Sequence, residues 1–134
     1  PLNSSFILAN SGQENPNLAN YELIGENLSK IRLVVLSACR TNAESYFYGE
    51  GMIGASRTFL AAGIPLVVAS QWSVETKATA KLMIQFHKYR KGGNLSTNKA
   101  LRQAQIDFIN GQDERYKNPY YWSAFITLGG YSEF

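Results

Sequence analysis

The sequence predicts an α/β domain in which helices cover a sheet. Two continuous runs of branched and leucine residues, "IRLVVLSA" (31–38) and "PLVVAS" (65–70), have the pattern of strands buried on both faces. Segments with helical apolar spacing follow each of them, over 51–62, after Ser73, and over 97–110. Strands separated by helices read as crossover units, and so as a largely parallel sheet with helical cover.

Taken in order, Phe6 to Ala9 is a short strand, and the polar stretch "NSGQENPN" (10–17) is a loop. "YELIGENLSK" (21–30) is ambiguous between a turn of helix and a connection. The strand over 31–38 runs into a polar, aromatic loop, "CRTNAESYFYGE" (39–50). Gly51 to Ala62 fits a helix with Met52, Ile53, Phe59 and Leu60 on its apolar side; Gly63 stops it and Pro65 forbids continuation. After the second buried strand, Ser73 is placed to N-cap a helix with Ala78, Leu82, Phe86 and Tyr89 on one face, ended by Gly92 and Gly93. A third helix, Thr97 to Asn110, turns Ala100, Leu101, Ala104 and Phe108 inward and is closed by Gly111. Ala124 to Leu128 is the last strand, with Tyr120, Tyr121 and Trp122 beside it as core or strand packing. With no internal repeat, low-complexity tract or linker, residues 1–134 read as part of a single domain.

Composition removes several function classes. A chain of 134 residues, 45% hydrophobic and 17% charged, can bury a core and is not of the disordered type. No apolar run approaches the ~20 residues of a membrane span, and no signal peptide opens the chain. The chain's one cysteine cannot make an internal disulfide, which points to a reducing, cytoplasmic setting. The net charge of +3 is small and its only cluster, "KYRKGG" (88–93), reads as a solvated helix end, so no nucleic-acid partner is expected. One Cys and one His cannot build a metal site, and neither a metal nor a cofactor is expected.

"GEGMIG" (49–54) spells the glycine pattern of a dinucleotide fingerprint, with Glu75 about 20 residues beyond Gly54. The context is wrong: a loop separates these glycines from the preceding strand, and Glu50 sets a carboxylate where pyrophosphate would sit. The glycines instead let a loop bend and a helix pack close to the sheet.

Cys39 follows the first core strand directly. Free cysteine is among the most buried residue types, so local chemistry alone favours a structural thiol. Its placement also suits a nucleophile, because sites in such sheets form at the carboxyl ends of the strands, with turn N–H groups available to an oxyanion. On that rim Cys39 and the segment Ser70–Ser73 are expected side by side. The base is missing: His87 sits far along a helix, in "QFHKYRK". The caspase signature Q-A-C-[RQG]-G has its histidine about 50 residues upstream. Ser37-Ala38-Cys39-Arg40-Thr41 keeps the A-C-R centre of that signature, and counting back about 50 residues from Cys39 falls before Pro1.

The ordered set "LVVLSACRT" (33–41), "GEGMIGASRTFLAAG" (49–63), "PLVVASQWSVETKATAKLM" (65–83), "KALRQAQ" (99–105) and "YYWSAFITLG" (120–129) resembles the CHAT family, caspase-like peptidase domains often attached to tetratricopeptide repeats in bacteria. The resemblance implies the C-terminal part of a caspase-hemoglobinase fold, lacking its N-terminal strands and its His-Gly segment. It implies Cys39 as the nucleophile of a Cys-His dyad, its backbone N–H as one oxyanion donor, and the upstream part of the same domain as supplier of the histidine. It implies a protein or peptide substrate, with Ser70, Gln71 and Trp72 in the segment lining the groove. Trp72 competes between groove wall and ordinary core. Glu50 and Glu75 stand between a role in selecting a basic P1 residue and that of solvated loop and helix-start carboxylates. Two departures from the family pattern are Arg40, where an acidic residue is frequent, and Leu128-Gly129-Gly130 in place of Leu-Gly-Asp. The other reading is a non-catalytic interaction domain in which Cys39 is a packed thiol.

Overall fold

The computed structural model describes residues 5–7, 17–19, 22–23, 26, 28, 30–37, 51–92 and 95–130. The elements are β1 (Ser5–Ile7), β2 (Asn17–Ala19), β3 (Val34–Leu36), α1 (Gly51–Ala61), β4 (Leu66–Ser70), α2 (Thr76–Gly92), α3 (Thr97–Ile109), a 3-10 turn (Glu114–Lys117), α4 (Pro119–Trp122) and β5 (Phe125–Gly129).

β1 and β2 form an antiparallel pair, with Phe6 opposite Leu18. The other sheet has the order β3-β4-β5. β4 is its centre and is buried along its whole length, as the four-residue apolar run Leu66–Ala69 between Pro65 and Ser70 demands. β3 lies parallel to β4, Leu36 opposite Ala69, and α1 makes the crossover between them. β5 returns antiparallel, Phe125 opposite Ser70. The sheet is therefore mixed among the described strands, with one parallel and one antiparallel pairing where a largely parallel one was expected.

Alternation along the strands sends side chains to two helical layers. One face sets Val34, Leu36, Val67, Ala69 and Leu128 against Ala55, Phe59 and Leu60 of α1. The other sets Leu33, Val35, Val68 and Phe125 against α2 and α3. Ala78, Leu82 and Phe86 of α2 and Ala100 and Ala104 of α3 are wholly buried there. Each large apolar side chain so buried contributes about 1.5–3 kcal/mol before conformational entropy is set against it. The result is a three-layer arrangement of helix, sheet and helices.

The helix ends follow from local chemistry. After Ala61 the Gly63 N–H donates to the Leu60 carbonyl at 3.1 Å and the Ile64 N–H to that of Phe59 at 3.1 Å. That reversal needs the left-handed backbone that Gly63 adopts at φ 90°. α2 starts later than expected: the Thr79 N–H donates to the Glu75 carbonyl at 3.0 Å, so Glu75 rather than Ser73 takes the cap position. Two further elements were not expected. The stretch 114–117 forms a 3-10 turn, and Asn118 caps α4 by accepting the Tyr120 N–H at 3.0 Å, with Pro119 in the first turn. The strand Asn17–Ala19 also begins inside what reads as loop.

Candidate functional site

Because β3 and β4 are parallel and in register, their carboxyl ends leave the sheet along one edge. Ser37, exposed, follows β3 there, and Ser70, buried, ends β4. β5 enters the sheet at the same edge, so α4 stands on this rim too. The Gln71 N–H donates to the Ala124 carbonyl at 2.8 Å, carrying the β4–β5 pairing one residue past the strand. Gln71 itself is exposed. The predicted groove segment Ser70-Gln71-Trp72 thus forms a continuous piece of the rim. Cys39, three residues beyond Leu36 in sequence, and Glu50 lie outside the described residues.

Trp72 is not a core residue: it is 37% exposed. Its indole Nε1 donates to the Tyr120 carbonyl at 3.0 Å. Its ring stacks on that of Tyr120, with centroids 6.5 Å apart and planes 26° from parallel. The Tyr120 hydroxyl donates to the Ser73 carbonyl at 2.7 Å. Tyr120 is half exposed and belongs to α4, so the expectation of core or strand packing is corrected for it. Tyr121 and Trp122, partly buried, do pack on the core beneath. The Trp122 indole N–H donates to the Lys117 carbonyl at 3.1 Å. Gln105 of α3 fixes the turn from α4 into β5, its Nε2 donating to the carbonyls of Trp122 and Phe125 at 3.2 and 3.0 Å.

Glu75, exposed, follows this segment at the start of α2. His87 is partly buried and lies about 17 Å along the α2 axis from Thr76, at 1.5 Å per residue. Its ring tilts against Phe86 at 4.9 Å. Burial, and then the neighbouring Arg90 and Lys91 cations, hold its pKa below the ordinary imidazole value. His87 thus lies about three turns along α2 from the end of the helix that follows the rim segment. Among the described residues no three His, Cys, Asp or Glu side chains gather as a metal cluster, and no helix is long and apolar enough to cross a membrane.

Sequence reasoning placed Ser70, Gln71 and Trp72 on the rim and missed Tyr120. The signal for it was present: Asn118-Pro119 is a cap followed by a first-turn proline, which starts a helical turn ahead of the last strand.

With this geometry in place, comparison with known proteins assigns the chain. The family model described as CHAT domain matches residues 1–130. The chain belongs to the CHAT domain family. A curated relative, Tetratricopeptide repeat protein 28 of Homo sapiens, is 28% identical over 99 residues, which is 74% of this chain and 4% of that protein. The chain thus spans a small part of the length of that relative. No solved structure matches it.

Proposed function

We propose that this chain is the nucleophile-bearing part of a caspase-like cysteine endopeptidase, the C-terminal portion of its domain. The observation that carries the reading is the parallel, in-register pairing of β3 with β4. It makes the carboxyl ends of the two strands neighbours on one edge, and in sequence the first of them leads to Cys39. The match to the CHAT family over residues 1–130 supports the same assignment.

In this reading the Cys39 Sγ, as thiolate, attacks the carbonyl carbon of a peptide bond. The backbone N–H of Cys39 donates to the oxyanion as the carbonyl π bond opens. The histidine that took the thiol proton lies in the upstream part of the domain. It returns that proton to the departing amine as the C–N bond breaks, leaving a thioester. Water, deprotonated by the same imidazole, then displaces the thiolate and releases the acid. Of the segment Ser70-Gln71-Trp72, the exposed Gln71 and Trp72 form one wall for the peptide, with buried Ser70 anchoring it to β4. Glu50 and Glu75 are carboxylates suited to a basic P1 side chain. The partners are a protein or peptide substrate and the upstream half of the domain, and the setting is cytoplasmic.

The test is cleavage of a peptide library by the full-length protein that contains this sequence, alongside Cys39→Ala and a substitution of the histidine about 50 residues upstream. Cleavage that both substitutions abolish is expected. A full-length protein that cleaves nothing, and whose Cys39 is inert to iodoacetamide at neutral pH, would leave the interaction-domain reading in its place.

A further inference from the structure

Residues 71–75, between β4 and α2, have no regular backbone structure, yet they carry an exposed tryptophan, Trp72. An exposed tryptophan on such a segment ordinarily samples several rotamers and offers no fixed surface. Here one residue, distant in sequence, holds both its side chain and the backbone behind it. Tyr120 accepts the indole N–H on its carbonyl at 3.0 Å, stacks its ring on the indole, and donates its hydroxyl to the Ser73 carbonyl at 2.7 Å.

Tyr120 is itself anchored. Its ring meets Tyr121 edge-on at 5.4 Å and 86°, and Tyr121 meets Tyr116 edge-on at 5.3 Å and 78°. Tyr116 tilts against Phe108 at 5.6 Å, and Phe108 is a buried residue of α3. A row of rings therefore runs from the core to the rim and ends at Trp72. Burial does not explain its outer end, because Tyr120 is 50% exposed and Trp72 37%. An aromatic surface that is both held and open is organised for binding, since the cost of ordering it is met before a ligand arrives.

We infer that Tyr120 is the positioning residue of this rim. It sets the place of Trp72, and through Trp72 the wall against which an extended peptide lies. The positioning claim stands on the contacts alone; the peptide claim rests on the peptidase reading above.

The two claims separate experimentally. Tryptophans stand at 72 and 122, and in the full-length protein labelled with 5-fluorotryptophan the fluorine NMR signal of each is assigned as the one that Trp72→Phe or Trp122→Phe removes. Tyr120→Phe removes only the hydroxyl bond to Ser73; Tyr120→Ala removes the ring as well. The Trp72 signal is expected to move toward its unfolded-chain position in Tyr120→Phe and further in Tyr120→Ala, while the Trp122 signal stays. Both signals moving together, or neither moving, would overturn the positioning role.

In the full-length protein, Tyr120→Phe should raise KM for a cleaved peptide roughly five-fold, the loss of about one ordinary hydrogen bond, with kcat within about two-fold. An unchanged KM beside a moved Trp72 signal would overturn the peptide wall. Absence of any cleavage by the unsubstituted protein would remove the peptidase reading, and the fluorine signals alone would then decide the positioning claim.

Discussion

Gly129 tests the packing that brings β5 to the rim. It stands opposite Leu66 at the far end of the β4–β5 pair and adopts φ 127°, a conformation that side-chain-bearing residues rarely take. A Cβ added there overlaps the Pro65 carbonyl oxygen and comes within 3.1 Å of its carbonyl carbon and 3.2 Å of the Leu66 Cα. All three neighbours are backbone, so relief requires the strands to part. Gly129→Ala therefore combines backbone strain of about 1–2 kcal/mol with overpacking of about 1–3 kcal/mol. The sum, about 2–5 kcal/mol, is a large share of the roughly 5–15 kcal/mol that holds a domain together. At about 4 °C per kcal/mol for a domain near this size, the midpoint should fall by about 8–20 °C. Gly63→Ala is the matched control: its φ is 90°, and a Cβ there meets nothing within 4 Å. It should show the strain alone, about 1–2 kcal/mol. Urea and thermal unfolding of both variants beside the parent measure the difference. Equal losses in the two, or a loss under about 0.5 kcal/mol in Gly129→Ala, would refute the close approach of Gly129 to Pro65.

Two other perturbations have defined outcomes. Gln105→Leu keeps the size of the side chain but leaves the Trp122 and Phe125 carbonyls without their donor, and should cost about 1–3 kcal/mol in urea unfolding; a variant as stable as the parent would show those bonds to be replaceable by water. His87 has a lowered pKa in the folded chain, so the unfolded state binds the proton more readily, and stability is lost as pH falls through roughly 6.5. His87→Gln removes that loss: its midpoint, compared with the parent from about pH 7.5 down to about pH 5, should gain ground steadily toward acid. A pH-independent gap between the two would contradict the sign of the shift.

The legible parts of this fold are those where burial and backbone chemistry act locally. "PLVVAS" announces β4 because a central strand needs an unbroken apolar run, and Gly63 announces the end of α1 because only a left-handed residue closes that helix. The inward faces of α2 and α3 follow from spacing alone, as the burial of Ala78, Leu82, Phe86, Ala104 and Phe108 bears out. The direction of β5 was not legible. A strand's sense depends on where the chain re-enters the sheet, and here that is decided by α4, a single turn too short for periodicity to show. Trp72 was undecided in sequence for a related reason. Its exposure depends on a partner 48 residues away, which only the register of β5 on β4 brings to it. The rim segment 70–72 could be located from strand ends, whereas the residue that fixes it could not.

Trapping decides whether Cys39 is a working nucleophile. The full-length protein would be treated with a peptidyl acyloxymethyl ketone, which alkylates an activated active-site thiol, and examined by intact-mass and peptide mapping. One adduct per chain, located on Cys39 and lost when the histidine about 50 residues upstream is replaced, is the predicted result. An unmodified Cys39, or one labelled equally well without that histidine, would contradict it.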